Sequence, residues 1–261
     1  MDLNLRGKHA LVCGSTQGIG KATAIELAML GAQITLVARN EDKLRSVVNE
    51  LQVYSGHTHD YLVADFQKPE ELDKMISTYC KDKIIHILVN NTGGPPAGQA
   101  IDAKPDEYVK AFSAHLLCNQ FLVQALVPGM KHDKYGRIIN VISTSVKAPI
   151  RGLGVSNTIR GAVANWAKTL SFELAPFGIT VNNVLPGATL TGRLESIMES
   201  KASKTGKDLA DIKQEMIEEI PAGRIADASE VASAIAFLAT PAAAYINGIN
   251  LPVDGGRTPG L

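Results

Sequence analysis

Residues 9–33 read HALVCGSTQGIGKATAIELAMLGAQ, and this stretch decides the fold. The run His9–Cys13 is aliphatic enough for a strand buried on both faces. Gly14, Gly18 and Gly20 follow, and from Ile19 to Leu30 the pattern turns helical, with Gly31 as its stop. Glycines at such a junction permit a tight turn, let a pyrophosphate approach backbone N–H groups, and bring helix and strand close together. The helix N-terminus then offers the phosphates its partial positive charge. A glycine trio alone is a weak signal. One that ends a strand, opens a helix and starts a βαβ unit predicts a dinucleotide cradle.

The alternation continues outward. Aliphatic runs at residues 33–38, 59–64, 85–91, 137–142 and 180–185 read as further buried strands, and 249–254 as an edge strand. Helical patterns lie at 41–54, 69–81, 106–131, 156–175 and 228–239, with Pro69 at a first turn. Strands and helices in alternation predict a Rossmann-type α/β fold: a doubly wound parallel sheet in three α/β/α layers. We read one domain over residues 1–261. The polar stretch 191–219 is too long for a connector, and its place after the Pro186-Gly187 turn predicts a helical lid.

Composition limits the function classes. Lys plus Arg equals Asp plus Glu at 26 each, so no global field attracts nucleic acid or an anionic membrane. Cys13, Cys80 and Cys118 are scattered and lack metal-ligand spacing, which suits free thiols in a reducing compartment, and no metal site is expected. The start lacks signal-peptide character and no apolar run approaches the roughly 20 residues of a membrane span. The expectation is a cytoplasmic protein acting on a small-molecule substrate.

The residue after the second strand chooses the nucleotide. An acid there would hold the ribose 2′-hydroxyl of NAD, whereas an arginine suits the 2′-phosphate of NADP. The chain has Ala38-Arg39, with no acid before Glu41. Arg39, helped by Ser15, is therefore expected to select NADP(H) over NAD(H).

These motifs closely resemble the short-chain dehydrogenase/reductase family over nearly the whole chain. Gly14-Ser15-Thr16-Gln17-Gly18-Ile19-Gly20 resembles its glycine loop, with Cys13 at the usual threonine, and Asn90-Asn91-Thr92-Gly93 resembles its NNAG motif. The resemblance implies that Asn91, Thr92 and Gly93 lie along the cofactor, that Asp65 bonds the adenine, and that Pro186, Gly187, Thr189 and Thr191 grip the nicotinamide amide. By overall pattern the chain is most similar to 3-oxoacyl-acyl-carrier-protein reductases, which implies hydride transfer between NADP(H) and a carbonyl, such as a 3-oxoacyl thioester.

The resemblance also implies a catalytic serine, then a tyrosine thirteen residues on and a lysine four beyond it. Ser143 fits the serine, but the next two positions hold Ser156 and Arg160. Thirteen residues before Pro128, where the family has an asparagine, stands His115. An aliphatic hydroxyl is far more basic than a phenoxide once ionised, so Ser156 is a poor proton donor. Arg160 can hold ribose hydroxyls but cannot relay protons. His115 titrates near physiological pH in its ordinary state and is the candidate acid, with a satisfied core histidine as the alternative. Tyr108 and Tyr135 are poorly placed, and Arg151 suits a surface loop better than an anion site. Two functions stay open: a reductase with rewired proton delivery, or a nucleotide-binding scaffold or regulatory subunit. Helices 106–131 and 156–175 are apolar on two sides, and with the resemblance this implies a dimer or tetramer.

Overall fold

The computed structural model describes residues 1–260. Seven parallel strands form one sheet: β1 (His9–Cys13), β2 (Gln33–Ala38), β3 (Asp60–Val63), β4 (Ile87–Asn90), β5 (Gly136–Val141), β6 (Ile179–Pro186) and β7 (Asn250–Val253). Their order is β3-β2-β1-β4-β5-β6-β7. The chain therefore winds outward from β1 to β3, returns to lay β4 against β1, and winds outward the other way. Between β1 and β4 the connections leave in opposite directions, and the crevice that opens there is where open α/β sheets bind ligands.

The strands alternate between two cores. Ala10 and Val12 of β1 face α1 (Gly18–Met29), α2 (Glu41–Ser55) and α9 (Ala228–Ala239). Leu11 and Cys13 face α3 (Pro69–Tyr79), α5 (Cys118–His132) and α6 (Gly154–Leu174). Both faces are buried, which is why β1 and β4–β6 read as nearly unbroken apolar runs. Gly31 has φ of +97° and follows α1 as expected. Asn40 caps α2 by accepting the Lys43 N–H.

Two elements depart from the sequence reading. The helix expected over 106–131 is interrupted: α4 (Pro105–Phe112) and α5 flank a π turn at Ser113–Leu117. The extra residue in that turn carries the buried His115, and such bulges often sit at functional sites. The second departure is α6, which begins at Gly154, two residues earlier than read. Gly98 and Gly154 exchange backbone bonds with this start (Gly98 N–H to Gly152 O at 2.8 Å, Gly154 N–H to Gly98 O at 2.9 Å). The polar stretch after β6 folds as α7 (Gly192–Thr205) and α8 (Leu209–Glu218).

Asparagines cross half the sheet. Asn90, Asn140, Asn183 and Asn250 are register partners on β4 to β7. Asn90 donates to Asn140, Asn140 to Asn183 and Asn183 to Asn250, at 2.9, 2.9 and 2.8 Å.

At the opposite end, histidines hold the strand starts. The His86 Nδ1 accepts the His9 N–H at 3.0 Å, and the His59 Nδ1 accepts the Ile34 N–H at 3.1 Å. A ring nitrogen that accepts a backbone N–H carries no proton, so both imidazoles are neutral. Burial pushes all three rings below their ordinary pKa, His9 to about 4. A lowered folded-state value means the unfolded chain binds more protons as pH falls below about 6.5, so stability is full above that pH and is lost towards 4. His9 alone accounts for a loss on the order of 3 kcal/mol. Melting temperatures should fall steadily from pH 7 to pH 4.5, and less so in His9→Gln; a flat profile would contradict neutral burial.

Candidate active site

The glycine loop bridges the C-terminal end of β1 and the start of α1. Gly14 and Gly18 have φ of +59° and +55°, which favours glycine. A Cβ on Gly14 would strike the Asn91 carbonyl oxygen, and one on Gly20 the Gly14 carbonyl oxygen, with the Asn91 amide nitrogen 2.9 and 2.7 Å away. Asn91 explains the crowding: its Nδ2 donates to the Cys13 and Gly14 carbonyls, both at 3.3 Å, and ties β4 to the loop. A Cβ on Gly18 would touch Thr191 at 3.0 Å. Helix α1 has no side-chain cap on Gln17 and no acid in its first turn. Its positive end is therefore uncompensated, and a pyrophosphate fits both the space and the charge.

The other expected cofactor residues spread along the strand ends. Ile19 packs onto the first core. Arg39 is exposed at the end of β2 with no ion pair among the described residues. Ser15 corrects its expected role: it is fully buried and accepts the Val37 N–H at 3.1 Å. Its oxygen fixes the end of β2 and does not face a 2′-phosphate. Asp65 is half-buried and accepts the Gln67 N–H at 3.0 Å. Gly93 stands in open space. Gly187, after Pro186, lies so close to Asp254 that a Cβ would come within 2.7 Å. Thr189 is buried and donates to the Gly187 carbonyl at 3.2 Å, while Thr191 caps α7.

Two of the catalytic candidates, Arg160 and His115, meet at Thr92. Arg160 is 8% exposed and donates to the carbonyls of Val141 on β5 (3.1 Å) and Thr92 after β4 (3.3 Å). Thr92 Oγ1 and His115 Nδ1 lie 2.6 Å apart. Burial, then Arg160 and Arg193, push His115 down to about 2. This shift runs against the expectation of a near-neutral acid, and Nδ1 is engaged with the Thr92 hydroxyl. Ser143 accepts the Ser145 N–H at 3.1 Å, and Ser156 is buried on the first turns of α6 without a side-chain partner among the described residues. Tyr135 donates to the Ala239 carbonyl and Tyr108 to that of Ala100, so neither phenol is directed at Arg160.

Arg193 was not anticipated. It lies in the first turn of α7, donates to the Pro95 carbonyl at 2.6 Å, and comes close to the Gly94 position, as Arg160 does. Its signal lay in the Thr191-Gly192-Arg193 triplet, inside a stretch read only as a polar lid.

Residues 14–258 match the family model described as enoyl-(acyl-carrier-protein) reductase. The chain belongs to the short-chain dehydrogenase/reductase family. Among its members, a 3-oxoacyl-[acyl-carrier-protein] reductase of Vibrio cholerae is 32% identical over 257 residues, covering 97% of this chain and 98% of that protein. A tropinone reductase homolog of Arabidopsis thaliana is 31% identical over 259 residues, 98% of this chain and 94% of the relative. Among solved short-chain dehydrogenase/reductase-like structures, L-sorbose reductase from Gluconobacter frateurii, complexed with NADPH and L-sorbose, superposes with a TM-score of 0.92 at 30% identity, covering both chains completely. An NADPH-dependent reductase involved in bacilysin biosynthesis gives 0.89 at 27% identity over 97% of this chain and 99% of that one. The family is thus one of oxidoreductases, and the sheet order, the crevice and the glycine loop of this chain are those of a member.

Proposed function

We propose that this protein is an NADP-dependent carbonyl reductase that works without a phenolic acid. The observation that carries the reading is the cradle at Gly14, Gly18 and Gly20, side-chain-free and at an uncompensated helix end, which suits phosphates. NADPH bound in one structural relative and the NADPH dependence of another support the choice of nucleotide, as does Arg39. In this reading Gln17, Thr189 and Thr191 line the nicotinamide end, Asp65 faces the adenine, and α7–α8 are the lid over the crevice.

When bound, the reduced nicotinamide supplies the hydride. The chain's own residues position the reactants. Arg160, held by Thr92 and Val141, presents its remaining donors to ribose hydroxyls, and Ser143 and Ser156 hold the carbonyl oxygen. His115 stays neutral and fixes the Thr92 hydroxyl, so the proton comes from water. Alignment alone can remove about 7–11 kcal/mol of a bimolecular barrier, which is enough for turnover without a strong acid. Loss of NADPH absorbance against a panel of ketones, sugars and acetoacetyl thioesters tests the reading. The expected pH profile of kcat is flat between pH 6 and 8, and His115→Asn should retain activity within about tenfold. A titration near neutrality that disappears in His115→Asn would restore His115 as the acid.

The scaffold reading is favoured by one observation, the absence of an acid titrating near neutrality beside Arg160. Substrate-independent NADPH binding with no oxidation at high protein concentration would support it. We further propose a homo-oligomer: Val109 and Phe112 on α4, Leu117 in the π turn and Phe172 on α6 are exposed apolar side chains. Light scattering should give a multiple of the chain mass, and a monomer would exclude this. No helix among the described residues is long and apolar enough to cross a membrane, and a cytoplasmic location fits the three free thiols.

A further inference from the structure

Two guanidinium groups converge on the crevice with no acid between them. A point one carbon out from Gly94 lies 3.5 Å from Arg193 Nη2 and 3.8 Å from Arg160 Nη2. Of the five N–H donors on each group, Arg160 commits two and Arg193 one to backbone carbonyls. No carboxylate among the described residues pairs with either. His115 beside them is neutral, and Arg193 also sits in the first turn of a helix, where the dipole disfavours a cation. Burial, and after it the neighbouring Arg193, lower Arg160 to about 10. A buried charge such as Arg160 is costly when unpaired, and a second cation beside it, the half-buried Arg193, adds repulsion unless a ligand brings the opposite charge.

The cofactor's phosphates do not fill that role. Their cradle is the glycine loop, against which Thr191 is packed, whereas Arg193 contacts the Gly94–Pro95 loop after β4. We propose that Arg193, together with a donor that Arg160 keeps beyond those given to the ribose, forms an anion clamp, and that the carbonyl compound this enzyme reduces carries a carboxylate. The inference rests on the reductase reading for the reaction but not for the binding. Two planar forks match a planar carboxylate, and Gly94 leaves the space between them free of a side chain. A 2-oxo acid places its carbonyl beside such a carboxylate, where the serines and the nicotinamide can reach it.

Calorimetry with oxalate, its neutral diamide oxamide, and inorganic phosphate, in chloride-free buffer at pH 7, tests the clamp with and without saturating NADP. Oxalate should bind, oxamide should not, and phosphate should bind more weakly. Arg193→Met should weaken oxalate at least tenfold, Arg193→Lys less, with melting temperature and NADPH affinity close to those of the wild type. In turnover, a 2-oxo acid should exceed its methyl ester at least tenfold in kcat/KM, and Arg193→Met should erase the difference mainly through KM. Oxamide matching oxalate, or phosphate exceeding it, would overturn the proposal. So would an Arg193→Met protein that keeps its oxalate affinity but loses NADPH, since Arg193 would then belong to the cofactor site. A wild-type chain that ignores NADPH yet binds oxalate through Arg193 would sink the reductase reading and leave the clamp standing.

Discussion

NADPH should bind the wild-type chain about 10- to 100-fold more tightly than NADH, and Arg39→Asp should reverse the order. A charge-assisted hydrogen bond contributes about 1.5–3 kcal/mol, and 1.4 kcal/mol is a factor of ten. Arg39 is free to make that contact: exposed, without an ion pair among the described residues, and carried on a strand end fixed by Ser15 below and by the Asn40 cap beyond. The acid that could take a ribose hydroxyl instead is engaged. Glu41 accepts from Arg45 at 2.7 Å and from the Tyr61 hydroxyl at 3.0 Å, and the nearby guanidinium holds its carboxyl below the usual range. The carboxylate introduced by Arg39→Asp would accept from the ribose and repel a 2′-phosphate. Fluorescence titration of both nucleotides decides the matter, and equal affinities in the wild type would refute the assignment.

Gly20→Ala should abolish measurable NADPH binding and lower the melting temperature. Its methyl group has no room, because the neighbours are the Gly14 carbonyl and the Asn91 amide that holds β4 to the loop. The Gly14 carbonyl is backbone and the Asn91 amide is held by two carbonyls, so the backbone of the cradle must move. Overpacking of this kind costs about 1–3 kcal/mol in stability, and a loop displaced by even an ångström no longer directs its N–H groups at phosphate. Gly93→Ala provides the contrast, since open space surrounds that position and its melting temperature should not change. Unaltered NADPH affinity in Gly20→Ala would show that the loop is no cradle.

The sheet and the cradle were legible because their constraints sit in residue identity. A strand buried on both faces must be aliphatic, and a junction with φ near +60° must be glycine, so β1 and its loop announce themselves in His9–Gly20. What stayed hidden depended on where a side chain turns. Ser15 next to a nucleotide loop reads as a ligand, but its hydroxyl is drawn inward by an unpaired N–H at Val37, a partner 22 residues away. His115 reads as a titrating acid until burial and two arginines, one from α6 and one from α7, are assembled around it. Arg193 acquires meaning only through the path that brings α7 over the Gly94–Pro95 loop. The π turn left no periodic trace, since five residues are too few to shift an apolar pattern.

The row of asparagines has a consequence for how this half of the molecule is assembled. The amides of Asn90, Asn140 and Asn183 each give to the next strand, so the four strands are keyed in a single direction, like links that close only in sequence. Sliding β5 by one residue would turn Asn140 to the far side, silence two links at once, and leave amides stranded among aliphatic groups, where each missing bond costs about 1–3 kcal/mol. Aliphatic strands grip any alignment almost equally well. Here the polar thread rejects the wrong ones, so the loops beyond the strand tips can diversify while the platform beneath them keeps its geometry.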